Sequence, residues 1–260
     1  EADRLSNLVL TQELLNTERQ VVMEERRLRT ENSPLGRMQE ALWQISFSKH
    51  PYQWPVIGYA EDLGRLTLED LRSFYLQHYQ PGNALVVVVG AVKADDVFKK
   101  ISAAYDAIPG RPASPRKIEA EPPQTEERKI TLYDAVATQR FAVSYRVSSA
   151  DQEDSYALDV LCSIVFSGQT SRAYRRLVEE KDWLAGIGGS AYTPTFPGLL
   201  IYSGTLKGKL EALPAIQEVE SLFAQIANEG VTEEELDTAK RQLTLDTVDG
   251  VRTPAGLAQL

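Results

Sequence analysis

The sequence predicts an α+β fold, and three observations carry this prediction. Long stretches with apolar residues at helical spacing occur near both ends of the chain. Short apolar or alternating runs, typical of strands, stand in clusters between them, and strands and helices do not alternate strictly. Because strict alternation would favour a doubly wound parallel sheet, the clustered order favours α+β. A chain of 260 residues is expected to form one large domain or two medium ones.

The part of the chain before residue 110 is predicted to be mostly helical. Its elements are helices over residues 3–30, 34–47 and 94–107, a capped helix that begins at Thr67, and a central strand over residues 84–90. The strand prediction depends on an unbroken apolar run, Ala-Leu-Val-Val-Val-Val, which precedes Gly90. Four apolar residues are expected to form the buried face of the capped helix: Leu68, Leu71, Phe74 and Tyr75.

Composition changes after residue 109, and this change predicts a linker between two domains. Five prolines lie among polar residues there, at positions 109, 112, 115, 122 and 123. We therefore divide the chain into residues 1–110, a linker at 111–128, and residues 129–260. The last part is expected to contain strands over 129–133, 139–145, 186–192 and 199–205, with helices over 155–166, 172–180 and 210–229 and a last helix opened by a capping box at Thr232.

Charge and cysteine content exclude several classes of function. The net charge is −9 and no basic stripe is interleaved with aromatic residues, so nucleic-acid binding is not expected. Cys162 is the only cysteine, so an internal disulfide and a cysteine zinc site are both excluded, and a small core residue is predicted. No apolar run has the length of a membrane span, and the first residues already have a helical pattern. We expect the chain to be part of a longer protein.

Two acidic residues, Glu18 and Glu25, form the most informative pattern. Because they are seven residues apart on a predicted helix, both carboxylates project from one face after about two turns. Two acids on one face repel each other unless a positive charge lies near them. A metal ion is one candidate for that charge, with the acids as ligand and supporting group. The other is a solvated helix face with arginine partners.

Five segments, taken in order, resemble the pitrilysin/insulinase metallopeptidases, which include the mitochondrial processing peptidases. The first contains both acids in the run Glu-Arg-Gln-Val-Val-Met-Glu-Glu, and the second contains a His-Pro-Tyr loop. The segments are Glu18–Glu25, Lys49–Gly58, Leu66–Tyr75, Tyr79–Gly90 and Ser171–Lys181. The resemblance implies two homologous α+β units, each an antiparallel sheet with packed helices. The first would be truncated at its N-terminus, and the second, non-catalytic unit could be truncated at its C-terminus.

The resemblance also implies zinc as the cofactor and peptides as substrates. Members of this group hold zinc with two histidines of a His-x-x-Glu-His helix and with a later glutamate. The position of that glutamate matches Glu25, with Glu24 as its nearest rival, and Glu18 matches a supporting acid that does not touch zinc. The chain has no His-x-x-Glu-His, and its only histidines, His50 and His78, are predicted to be structural. We expect a fragment of a zinc endopeptidase for unfolded or short peptides, inactive alone.

Single-chain members carry an arginine and a tyrosine that hold substrate from the second unit. The corresponding positions here are Val178 and either Ala185 or Gly186. This pattern resembles a zinc-bearing subunit that pairs, in a homo- or hetero-dimer, with a partner that carries the Arg/Tyr pair. Arg172 and Tyr174 could substitute, although roles in packing and capping are favoured for them.

Two other readings stay open at this point. The first is a catalytically silent member of the family that acts as a scaffold for an active partner subunit. The second is an unrelated α+β binding domain. The bacterial branch suggests a periplasmic or envelope setting, but the sequence itself leaves the compartment open.

Overall fold

A computed structural model of the protein describes residues 1–110 and 117–259, and it forms two compact units. The first unit comprises Glu1–Gly36, Phe47–Pro123 and Gly250–Leu260. The second unit comprises Arg37–Ser46 and Gln124–Asp249. The linker predicted at residues 111–128 lies partly outside the described residues, because residues 111–116 are not among them.

Helices dominate the part of the chain before residue 110. They are α1 (Ala2–Asn7), α2 (Gln12–Arg26) with a π-helical continuation (Arg27–Glu31), α3 (Pro34–Ser46), α4 (Ala60–Arg65), α5 (Leu68–His78) and α6 (Ala94–Tyr105). The single helix predicted over residues 3–30 is therefore wrong in one respect, since the chain breaks after Asn7. The break follows from Thr11, whose hydroxyl accepts a hydrogen bond from the Leu14 N–H at 3.2 Å and so begins a new helix.

The remaining elements begin after residue 139. They are β1 (Arg140–Arg146), α7 (Asp154–Phe166), α8 (Arg172–Tyr174) with a π-helical continuation (Arg175–Glu180), β2 (Leu184–Tyr192), β3 (Leu199–Leu206), α9 (Ala212–Glu229), α10 (Glu233–Gly250) and α11 (Pro254–Ala258). Three of the four strands predicted in this part are confirmed. Together with the helices, they confirm the predicted α+β class.

Both predicted capping boxes are confirmed by reciprocal hydrogen bonds. At the start of α5, the Thr67 hydroxyl accepts from the Asp70 N–H at 3.1 Å, and the Asp70 carboxylate accepts from the Thr67 N–H at 2.8 Å. The hydrogen bonds from the Thr67 side chain and backbone lower the pKa of the Asp70 carboxyl. At the start of α10, Thr232 and Glu235 make the same pair of contacts at 3.2 and 2.9 Å.

The central strand predicted over residues 84–90 is wrong. In the structure this apolar run forms no strand hydrogen bonds with the described strands, and Leu85 is 89% exposed. A central strand needs hydrogen-bonded neighbours on both edges, and the described residues of the first unit contain no strand at all. The strand predicted over residues 129–133 is wrong for a similar reason, since it pairs with none of the described strands. Hydrophobic pattern alone does not supply the pairing partner.

The first unit buries little apolar surface. The predicted buried face of α5 is wrong, because Leu68, Leu71 and Tyr75 are only partly buried and Phe74 is 51% exposed. Among the described residues of this unit, only two hydrophobic side chains are buried, those of Leu15 and Phe47. Spacing predicted correctly which residues share the helix face, but burial requires a surface that covers it.

The second unit, in contrast, contains a three-stranded antiparallel sheet with a packed core. Strand β3 lies in the middle, with Arg140 of β1 opposite Thr205 and Tyr192 of β2 opposite Leu199. Alternate side chains of β3 point inward, so that Leu200, Tyr202 and Leu206 are buried. Helices α7 and α9 cover this face and complete the core.

An aromatic cluster occupies the centre of that core. Tyr202 is fully buried, its ring is stacked on Phe166 with centroids 5.4 Å apart, and Phe141 lies edge-on at 6.3 Å. Burial raises the pKa of the Tyr202 phenol. Gly189 permits this packing, because a Cβ there would lie 2.6 Å from the Phe166 ring. Cys162 is also buried in this core, as predicted, and burial raises the pKa of its thiol to about 12.

Candidate functional site

The two carboxylates singled out by their spacing lie on α2, in the first unit. Glu18 is exposed, and Glu25, with a side chain 39% exposed, accepts an ion-pair contact from Arg29 at 2.8 Å. Arg29 lies four residues further along the helix, which is the spacing at which opposite charges on a helix meet. The arginine partner expected on a solvated helix face is therefore present at Glu25. A single surface arginine does not block the carboxylate, since its two oxygens offer about four acceptor positions.

Glu24, the rival for the metal-ligand role, has a different environment. Its carboxylate forms an ion pair with Arg27 at 2.6 Å, and both side chains are more than half exposed. Because adjacent helical residues are rotated by about 100°, Glu24 does not share the face of Glu18 and Glu25. Its contacts are those of an ordinary surface pair.

Neither histidine joins this face. His50 is buried, its Nδ1 accepts a hydrogen bond from the Tyr52 N–H at 3.2 Å, and its ring caps a 3₁₀ turn over Pro51–Gln53. His78 lies in the last turn of α5, with its ring 4.4 Å from the ring of Phe74. Both positions agree with the structural roles predicted for them. In the part of the chain that the structure describes, no three His, Cys, Asp or Glu side chains converge on a metal position.

The ligand atoms that these residues offer can be compared with those that a zinc site requires. Carboxylate oxygen is a common zinc ligand, and Glu25 is accessible on its helix. A catalytic zinc site needs three protein ligands, however. Glu18 on the same face matches only a supporting acid, and no three His, Cys, Asp or Glu side chains of the described residues converge there. The chain therefore fits zinc as the source of one ligand and not as a complete site.

Glu121, which sequence analysis did not single out, holds the His-Pro-Tyr loop. Its carboxylate accepts hydrogen bonds from the Ser48 N–H and hydroxyl at 2.7 Å, from the Lys49 N–H at 2.7 Å and from the His50 N–H at 2.8 Å. Partial burial raises the pKa of Glu121, but these four hydrogen bonds outweigh it and hold the pKa well below its usual range. Local sequence does not predict this role, because Glu121 lies 71 positions from His50, within the predicted linker.

In the second unit, Arg172 has a structural partner. Its guanidinium donates two hydrogen bonds to the Glu235 carboxylate, at 2.6 and 2.8 Å. This bidentate pair joins α8 to the capping box of α10 and agrees with the favoured structural reading of Arg172. Tyr174 and Val178 are partly buried. Along β2, Ala185 is exposed and Gly186 is partly buried.

The Arg172–Glu235 pair predicts a specific acid sensitivity. Hydrogen bonding by Arg172, together with that by Thr232, lowers the pKa of Glu235 to about 2. A carboxyl with a lowered folded-state pKa stabilises the fold above its unfolded-state pKa, and this stability is lost as pH falls toward about 2. We expect Glu235→Gln to lower the free energy of unfolding by about 1–2 kcal/mol at pH 7, after allowance for solvent screening. Urea denaturation at pH 7 and pH 3 should show that the difference shrinks at the lower pH.

Glu234→Gln is the matched control for this prediction. Glu234 neighbours Glu235 at the start of α10 and is exposed. A loss of stability at pH 7 that is the same in both variants would show that the Arg172 pair contributes nothing beyond ordinary charge at a helix N-terminus.

Comparison with known proteins places the chain in a family. Residues 65–243 match the family described as peptidase M16 inactive domain. The chain is 30% identical over 268 residues to the zinc protease PqqE of Helicobacter pylori, a match that covers 100% of this chain and 59% of that protein. It is 28% identical to an uncharacterized zinc protease of Mycobacterium leprae, over 87% of this chain and 51% of that protein. The fold and these matches define a metallopeptidase-like protein, and the chain belongs to the M16 peptidase family.

Solved structures support the same assignment. A crystal structure of a protease from Helicobacter pylori superposes with a TM-score of 0.89 at 27% identity, covering 99% of this chain and 63% of that one. A peptidase M16 inactive domain from Pseudomonas fluorescens shares the fold with a TM-score of 0.84 at 19% identity, over 99% of this chain and 61% of that one. The chain thus spans 51–63% of the length of these four relatives. Within the described residues, no helix has the length and hydropathy that crossing a membrane requires.

Proposed function

We propose that the chain is part of a longer zinc endopeptidase, to which Glu25 supplies one metal ligand. The observation that carries this proposal is the placement of Glu25 on an accessible face of α2, in register with Glu18. The relatives named zinc proteases support it, as does membership of the M16 family. The other ligands and the general base would come from residues of the longer protein.

The residues of this chain would act on the metal by binding and orientation. Zinc, when bound, supplies Lewis-acid polarisation of the scissile carbonyl and activates a water for attack. The Glu25 carboxylate would bind it through an oxygen not engaged by Arg29. Glu18 lies two turns earlier on the same face and would accept a hydrogen bond from a ligand or proton donor, which fixes the direction of that group. The expected substrates are unfolded or short peptides.

A second candidate is a catalytically silent family member that supports an active partner. The observation that favours it is the family match. The matched family is described as an inactive domain, and the match begins at residue 65, after both carboxylates in the sequence. We also propose that the longer protein works as a homo- or hetero-dimer, with the partner supplying the arginine and tyrosine that Val178 and either Ala185 or Gly186 do not provide. A silent member would bind such a partner without binding zinc.

Zinc stoichiometry separates the two candidates. We expect the longer protein to contain one zinc ion per chain after dialysis, and residues 1–260 alone to contain none, because they supply a single ligand. Metal analysis by mass spectrometry on both proteins measures this directly. Absence of zinc from the longer protein would favour the silent candidate, and one tightly held zinc in residues 1–260 would contradict the single-ligand reading.

A further inference from the structure

Helix α2 carries a second row of charged residues beside the carboxylates. Arg19 directly follows Glu18, and Arg26 directly follows Glu25, so the two arginines are also seven residues apart. Their row is rotated by about 100° from the carboxylate row. The two rows differ in burial, because Arg26 is only 6% exposed and Arg19 is partly buried. The arginine row therefore faces the rest of the first unit while the carboxylate row faces outward.

Arg19 binds the C-terminal end of α4. Its Nε donates a hydrogen bond to the Leu63 carbonyl at 3.0 Å, and its Nη2 donates to the Leu66 carbonyl. The last carbonyls of a helix have no partner within the helix, so a guanidinium at this end satisfies acceptors that would otherwise depend on water.

Arg26 binds the chain just before α4 begins. Its Nη1 donates to the Gly58 carbonyl at 2.9 Å, and its guanidinium carbon lies 5.9 Å from the centre of the Tyr59 ring. Its Nε also lies 3.3 Å from the Glu31 carboxylate. Arg19 and Arg26 thus hold the two ends of one short helix at two points separated by two turns of α2.

Two contacts on one side of a helix restrict its rotation about its own axis. A rotation of about 20° moves a side-chain tip 5–6 Å from the axis by about 2 Å. Metal–ligand distances tolerate only about 0.2 Å. A helix that carries a metal ligand must therefore be kept from rotating about its own axis. The two arginines are placed to do this.

We propose that Arg19 and Arg26 are positioning residues that clamp α4 and thereby aim Glu18 and Glu25 at the metal site. This inference rests on the proposed role of Glu25. The competing explanation is that both arginines only stabilise the packing of α2 on α4. The two explanations differ in one consequence: a positioning role acts on zinc through Glu25, whereas a packing role acts on stability whether or not Glu25 is present.

Zinc affinity of the longer protein tests the first consequence. Arg19→Met and Arg26→Met keep the apolar stem of the side chain and remove its donors. We expect each to weaken zinc binding about 10- to 100-fold, measured by competition with a chromophoric chelator. We also expect the absorption bands of the Co²⁺-loaded protein to shift, since they report ligand geometry. Arg27→Met is the matched control: Arg27 is exposed and pairs with Glu24, so zinc affinity should not change.

A double-mutant cycle decides between positioning and packing. If Arg26 acts through Glu25, then Arg26→Met should cause no further loss of zinc affinity in a Glu25→Gln background. The same fold-loss in both backgrounds, or a loss no larger than that of Arg27→Met, would overturn the positioning role.

A spin-label measurement on residues 1–260 tests the clamp without any metal. With Cys162 replaced by alanine, nitroxides are attached at Glu25→Cys and Asp62→Cys, which lie on α2 and α4. We expect a narrow distance distribution that broadens on Arg26→Met and not on Arg27→Met. A broad distribution before substitution, or one that Arg26→Met leaves unchanged, would overturn the clamp. If the longer protein binds no zinc, the proposed function fails. The distance distribution then tests, independently of zinc, whether the arginine row fixes α2 against α4.

Discussion

Glu25→Gln in the longer protein is expected to weaken zinc binding by more than about 100-fold and, with it, to lower peptidase activity. Glutamine keeps the shape of the side chain but replaces an anionic ligand with a neutral amide. Loss of a group that only supports a metal ligand costs about 10- to 100-fold in affinity, so loss of a ligand should exceed about 100-fold. Glu18→Gln, which removes the proposed supporting acid, should fall within that 10- to 100-fold range. Chelator competition and hydrolysis of a fluorogenic peptide measure the two effects.

Glu24→Gln is the control for this prediction. Glu24 is adjacent in sequence and equal in charge, but it lies on another face of α2 in an exposed pair with Arg27. Its replacement should change stability by less than about 1 kcal/mol and leave zinc affinity unchanged. Normal zinc occupancy in Glu25→Gln, or zinc loss in Glu24→Gln, would remove Glu25 from the metal site.

The largest effect on stability is expected for Leu177→Ala in the second unit. Leu177 lies in the π-helical continuation of α8, is fully buried and belongs to the core beneath the sheet. Truncation of a buried leucine removes apolar contacts and leaves a cavity, at a cost of about 2–5 kcal/mol in the free energy of unfolding. Leu213→Ala on α9 is the matched control, because Leu213 is 58% exposed and the same truncation should cost about 0.5 kcal/mol or less.

Tryptophan fluorescence can restrict this measurement to the second unit. Of the three tryptophans, Trp43 and Trp183 belong to the second unit, and Trp54, which is exposed, belongs to the first. In a Trp54→Phe background, urea denaturation followed by fluorescence therefore reports the second unit, where a two-state analysis is reasonable. Equal midpoints for Leu177→Ala and Leu213→Ala would contradict the assignment of Leu177 to the core.

Local interactions were predictable from sequence because their partners are close in the chain. The capping boxes at Thr67 and Thr232 use residues three positions apart, and both form as predicted. Strands β1, β2 and β3 were also recognisable, since each carries apolar residues that suit a covered sheet face. The placement of Glu18 and Glu25 on one helix face followed from helical spacing alone.

Contacts between distant residues were not predictable in this way. Glu121 carries no motif, although it accepts hydrogen bonds from three consecutive residues around His50. The arginine row did leave a signal, because the pair Glu-Arg recurs after seven residues in α2, but only the acids were interpreted. An arginine that follows each acid at this spacing could equally face water, and only the position of α4 shows that it does not.

The sequence by itself determined the α+β class, the capped starts of α5 and α10, the shared face of Glu18 and Glu25, and the family resemblance. These depend on period, capping chemistry and local motifs, which act over a few residues. The tertiary structure decided which apolar runs become strands and which charged residues turn inward. Residues 84–90 have the composition of a strand but pair with none of the described strands, whereas Arg26 is buried where the Gly58 carbonyl accepts its hydrogen bond. Strand pairing and the burial of charge both require partners, and local pattern does not reveal these: β1 pairs with β3, and Arg26 donates to a carbonyl 32 positions away.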